Sequence, residues 1–149
     1  MSTVHVQIDI EAPMQTVWDT IMDPERLGDW VTIHRSVKVK SPHPQQPGAR
    51  MDQVLHILGV SFKVHWTLES VVAPRRAEWH GRGPALSRAM ISYALSGDPQ
   101  GPTRFDYVNE FHPPGGPLGG AASRVLIGNV PEREAHDSLL KLKSLLEVR

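Results

Sequence analysis

The chain has 149 residues, enough for one domain whose core hides roughly 70% of the unfolded surface, and its 16 basic and 16 acidic side chains cancel. That balance removes the strong field that draws nucleic acid or an anionic membrane, and the absence of cysteine removes disulfides, thiolate nucleophiles and sulfur-bound metal. With no run approaching the ~20 apolar residues of a membrane span and no leader-like start, the expectation is a single cytoplasmic domain over residues 1–149.

From the N-terminus, Val4, Val6, Ile8 and Ile10 alternate with His5, Gln7, Asp9 and Glu11, a period of two that predicts a half-buried strand. Pro13 suits the first turn of a helix, where a missing N–H costs nothing, and Met14, Val17, Trp18 and Ile21 follow at helical spacing as one apolar stripe. Asp23-Pro24 stops that helix and starts another. Asp23 is placed to cap it, Pro24 takes its first position and Gly28 falls just past its end, so "DPERLGDW" reads as one tight turn of helix.

Six strand candidates follow at 32–41, 49–58, 60–73, 76–83, 86–96 and 102–112, parted by "SPHPQQPG", "LG", "APRR", "GP" and "GDPQGP", all with turn chemistry. This is the order of an antiparallel meander. In "VSFKVHWTLE", Val60, Phe62, Val64, Trp66 and Leu68 face one way and Ser61, Lys63, His65, Thr67 and Glu69 the other, so one face is covered and one is wet. The cover is expected from the C-terminal segment, where Leu118, Ala121, Val125, Gly128, Glu132, Ala135, Leu139, Leu142 and Leu146 recur at steps of three and four. Pro131 within that span predicts a kink near Gly128-Asn129, and the stripe puts Glu132 on the inner face.

The resulting order, strand, two short helices, six strands and a long helix, defines an α+β chain. Together with Pro13, Val17-Trp18, Asp23-Pro24 and Trp30 it resembles the START-related SRPBCC superfamily, which includes the polyketide cyclase/dehydrase and lipid-transport proteins. The resemblance covers nearly the whole chain. It implies a helix-grip fold, a curved antiparallel sheet wrapped around the long C-terminal helix, with a pocket for a hydrophobic small molecule between them. The "WVTIH" run and the Gly/Pro-rich approach to the last helix are similar to a subgroup labelled as toxins of toxin–antitoxin pairs.

A cavity is also expected on volume grounds, because a helix laid on a bent sheet leaves space that large side chains must fill, and this chain has nine aromatics and small inward residues such as Ala77, Gly81, Ala89, Ala121 and Gly128. Trp18 is expected to anchor the first helix in the core, while Trp30 suits either a cavity wall or plain core. Taking the apolar strand faces as inward, the lining comprises Ile33, Leu55, Phe62, Val64, Trp66, Trp79, Ile91, Phe105 and Phe111. Arg35, Gln53, Tyr93, Tyr107 and Asn109 share those faces and Glu132 joins them from the helix; each is either paired with a neighbour or available to a ligand. An Arg35–Glu132 pair is the simplest such arrangement.

Eight histidines show no HxH, HxxxH or HExxH spacing, so no metal is expected; "GGPLGG" lacks the Lys-Ser/Thr of a phosphate loop, and no GxSxG marks a serine nucleophile. Three functions stay open. The chain binds a lipid, quinone or polyketide-like molecule without chemistry; or it is a cofactor-independent cyclase/dehydratase with Tyr93, Tyr107 or Glu132 as acid or base; or it acts through a small protein partner, as the toxin label implies.

Overall fold

The computed structural model describes residues 2–112 and 129–147. In chain order these form β1 (Ser2–Ile10), α1 (Met14–Ile21), a 3-10 turn (Pro24–Arg26) running into α2 (Leu27–Trp30), then β2 (His34–Val39), β3 (Arg50–Ile57), β4 (Val60–Val72), β5 (Arg76–Arg82), β6 (Arg88–Gly97), β7 (Thr103–His112) and α3 (Asn129–Leu146). Leu118, Ala121, Val125 and Gly128, with the expected kink, lie outside the described residues. Pro131 falls in the first described turn of α3.

The seven strands make one antiparallel sheet in the order β1-β7-β6-β5-β4-β3-β2, so the first two strands of the chain lie at opposite edges and the α1–α2 segment spans the distance between them. Laid on this sheet, α3 packs along β1 on one flank and against α2 on the other, a helix-grip-like α+β arrangement. Lys143 Nζ ties the far end of α3 to the β1 edge by donating to the Asp9 carbonyl at 2.7 Å.

Local chemistry explains the junctions. Pro13 is the N-cap of α1, just outside the helix, and the Asp23 carboxylate accepts from the Glu25 N–H at 3.0 Å with Pro24 at the first position of its turn. Gly28 lies within α2 and not beyond it, because the turn continues far enough to bury both Leu27 and Trp30; a Cβ there would stand 3.4 Å from the His34 ring. The β3–β4 hairpin closes through Leu58 and Gly59, at φ 49° and 80°, the paired left-handed residues of a tight primed turn.

Beneath α1 the interior is solid: Ile10, Val17, Trp18, Leu68, Leu95 and Phe105 belong to one packed cluster, and Trp18 is 2% exposed. Toward the opposite end of the sheet burial relaxes. Along β7 it falls from Phe105, fully buried, to the half-buried Tyr107, Asn109 and Phe111, and along β4 from Leu68 to Phe62.

Candidate functional site: a cavity with two unlike walls

In that looser half a cavity of about 140 Å³ lies between the inner sheet face, α2 and the first half of α3. It is comparable with the ~150 Å³ apolar cavity that admits benzene. Among the sequence-predicted residues, the structure brings Trp30, Ile33, Gln53, Leu55, Phe62, Val64, Trp66, Trp79, Ile91, Tyr93, Tyr107, Asn109 and Phe111 to its wall.

Three others are placed elsewhere. Arg35 is exposed, because the β2–β3 register slips between His34 and Ser36; the extra residue shifts the alternation, so His34 takes the inward position opposite Leu55. Glu132 is exposed on the β1 flank, beside His5 and Gln7, since α3 is rotated so that Ala135, Ser138, Leu139 and Leu142 point inward. Arg35 and Glu132 thus sit toward opposite edges of the sheet and form no pair. Phe105 lies behind the wall, fully buried, with its ring 6.2 Å from Trp30 and 5.4 Å from Tyr93 between centroids; those two rings screen it from the cavity.

The β3–β4 wall is closed by its own hydrogen bonds. Trp66 lies flat across Gly81, where a Cβ would come within 2.6 Å of the indole, so only glycine leaves the ring its place. Its Nε1–H donates to Gln53 Oε1 at 2.9 Å. An indole N–H can only donate, so the Gln53 oxygen must face it and the Gln53 amide N–H₂ must face His34 Nδ1, also at 2.9 Å. His34 is therefore the acceptor there and carries its proton on Nε2. Burial lowers its pKa, and a second proton on Nδ1 would set donor against donor.

The α2–β6–β7 wall is not closed. Trp30 is 1% exposed, yet its Nε1–H has no hydrogen-bond partner among the described residues, and neither has Asn109 Oδ1. Asn109 Nδ2 donates to the Tyr107 hydroxyl oxygen at 3.3 Å, which leaves that hydroxyl's own proton uncommitted. Tyr93 pairs with Tyr107 across the strands, ring centroids 6.1 Å apart. Burial pushes the Tyr93 phenol far above its usual value, with the neighbouring Tyr107 adding to the shift. Burial also moves Tyr107 up to about 12, against the lowering effect of its Asn109 bond. Both hydroxyls stay protonated at neutral pH.

Sequence reasoning missed the hydrogen bonds that tie the exit of α2 to α3 beside the cavity. Just after α2, the Thr32 N–H donates to Ser138 Oγ at 3.0 Å, and the Thr32 hydroxyl donates to Glu134 Oε2 at 2.5 Å. The two partners are separated by about a hundred residues of chain, so no local spacing announces them; only re-centring the α3 stripe on Ser138 and Leu142 would have exchanged Glu132 for Glu134. Met22, Leu27 and Met51 add to the apolar lining.

The sequence pattern of the family described as "Polyketide cyclase / dehydrase and lipid transport" matches residues 1–147. An uncharacterized Mycobacterium tuberculosis protein, Rv1546, is 24% identical over 132 residues, 87% of this chain and 92% of that one. Toxin Rv0910 of the same organism is 24% identical over 83 residues, 56% of this chain and 58% of its own. The crystal structure of TTHA0849 from Thermus thermophilus superposes with a TM-score of 0.78 at 18% identity, covering 97% of both chains, which establishes likeness of fold.

Proposed function

Because the chain belongs to the polyketide cyclase / dehydrase and lipid transport family, we propose that it binds a hydrophobic small molecule in the cavity between its sheet, α2 and α3. The observation that carries this reading is a cavity of about 140 Å³ with a largely apolar lining that includes the rings of Trp30, Phe62, Trp66, Trp79, Tyr93 and Tyr107. No described helix is long and apolar enough to cross a membrane.

A cyclase or dehydratase role in the same cavity is the second reading, favoured by the Tyr93–Tyr107 pair of protonated hydroxyls, which suits polarising a carbonyl. Among the described residues its lining offers one carboxylate, Glu134, which is held by Thr32. Binding without chemistry asks less of these residues. The partner-protein reading rests on the likeness to Toxin Rv0910, and co-purification with the product of an adjacent reading frame tests it.

The test of the binding reading is a thermal-shift screen of single- and two-ring aromatics, quinones and fatty acids, followed by native mass spectrometry. A ligand at a hundred times its Kd should stabilise the fold by ~2.7 kcal/mol. Failure of every compound to raise the melting temperature contradicts the proposal.

A further inference from the structure

We infer that the protein docks on anionic lipid surfaces through the tips of two neighbouring hairpins, β3–β4 and β5–β6, with Leu58 and Leu86 entering the interface and Lys63, Arg82 and Arg88 meeting the headgroups. This surface lies outside the cavity and does not depend on what the cavity holds.

Both turns break the ordinary rules of turn chemistry in the same way. Leu58 and Leu86 have φ of 49° and 64°, a left-handed conformation that suits glycine, asparagine and aspartate and costs a bulky residue. They are also the two most exposed large apolar side chains among the described residues, at 66% and 91%. Each leucine thus loses on backbone conformation and on solvation and gains little packing in return, the mark of a residue placed for something outside the fold. Because β4 pairs with β5, the two tips project side by side from the same end of the sheet, and Val60 adds a third exposed apolar side chain there.

The charge around the tips is one-sided. Arg82 ends β5 and Arg88 opens β6, directly opposite each other in register, while His65 and His112 continue the row on β4 and β7. Lys63 lies nearer still to the β3–β4 tip, and all five side chains are exposed. Like charges facing each other across strands destabilise a sheet, yet the arginine ion pairs among the described residues are those of Arg26 and Arg104. The carboxylates beside the row are Asp52, held by His65 at 2.7 Å and Lys40 at 3.7 Å, and Glu110, two residues before His112. Charges cancel over the whole chain, but within the ~8 Å reach of a charge in physiological salt this end is cationic.

The shape of the surface favours lipid over other anions. Leucines that protrude singly from turns suit a yielding interface better than the flat patch of roughly 800 Å² per partner that a stable protein contact needs. All nine aromatic rings belong to the core or the cavity wall, so none is left on the basic face to stack a nucleic-acid base.

Co-sedimentation of the full chain with vesicles is the test. Phosphatidylcholine vesicles holding about one-third phosphatidylglycerol should bind the protein at least ~tenfold better than phosphatidylcholine alone in ~0.1 M salt, and release it in ~0.5 M. The pair Arg82→Gln and Arg88→Gln should weaken binding to the anionic vesicles by at least ~tenfold, since each cation at such a surface contributes roughly fivefold. The pair Leu58→Asn and Leu86→Asn suits both left-handed turns, so it should hold or raise the melting temperature while binding falls to about a tenth or less. Vesicles that leave the wild-type protein in solution overturn the inference, as does a leucine-to-asparagine pair that binds like wild type. A protein that ignores the vesicles and binds decaglutamate also overturns it and reassigns the basic row to an acidic polypeptide. None of these outcomes touches the cavity's binding role.

Discussion

Two tryptophans face the same cavity and are treated in opposite ways. Trp66, on the β4 wall, lies on Gly81 and gives its N–H to Gln53, which in turn engages His34 Nδ1; the indole N–H and both ends of the Gln53 amide are answered inside the protein. Trp30, at the end of α2, is buried at least as deeply and packs on Tyr93 and Phe105, yet its N–H is answered by none of the described residues. A wall that satisfies itself contributes to stability, whereas a wall with unanswered polar atoms carries their desolvation cost in the native fold. Burial alone fails to separate them. The hydrogen-bond ledger does.

The comparison breaks most severely when the Trp30 ring is removed. Trp30→Ala takes away the roof over Phe105 and should destabilise the fold by ~3–5 kcal/mol in urea unfolding, about as much as Trp18→Ala beneath α1. Gln53→Leu attacks the closed wall and strands the Trp66 N–H and the His34 Nδ1 together, so ~1–3 kcal/mol should be lost. The matched change on the open wall, Asn109→Leu, should move stability by less than about 1 kcal/mol, because it replaces an amide that is half unsatisfied in the native fold. Similar costs for Gln53→Leu and Asn109→Leu would erase the distinction between the walls.

A subtler probe uses pH. His34 has its folded pKa depressed below 6.5, so as the pH falls through that ordinary value the unfolded chain takes up the proton first and stability declines until the folded pKa is passed. The urea midpoint should therefore drop between pH 7.5 and 5.5, and the drop should be smaller in His34→Gln. An unchanged slope in that variant would show that the Gln53–His34 contact does not constrain the imidazole's protonation. The smallest expected effect is that of Trp30→Phe, within about 1 kcal/mol of wild type, since it keeps a ring against Phe105 while deleting the unanswered N–H.

Much of this architecture is legible in the chain before folding. The alternation in β3, β4, β6 and β7 puts Gln53, Phe62, Val64, Trp66, Ile91, Tyr93, Tyr107 and Asn109 on the inner face because a strand's period of two leaves little freedom once one face is covered. What escapes are phases that a single local event resets. The bulge at Arg35 exchanges Arg35 for His34, and nothing in "TIHRSVKV" signals it. On α3 a small rotation moves Glu132 to the surface and Glu134 to the cavity's edge, because a stripe read at steps of three and four admits two neighbouring phases. Phe105 departs from the expected lining for another reason: strand alternation tells which face a residue shares, not whether two larger rings stand in front of it. The satisfied and unsatisfied walls are beyond sequence altogether, since partners such as Trp66–Gln53 and Thr32–Ser138 are brought together only by the sheet and the grip of α3.

The most direct measurement is fluorine NMR of the protein labelled with 5-fluorotryptophan, titrated with a bound aromatic probe. Trp30, Trp66 and Trp79 line the cavity, whereas Trp18 is buried in the solid half and does not. If a small molecule enters as described, three of the four resonances should move, Trp30 furthest, and that of Trp18 should hold its place. A probe that shifts Trp18 as much as the other three, or that binds without moving Trp30, would contradict the account.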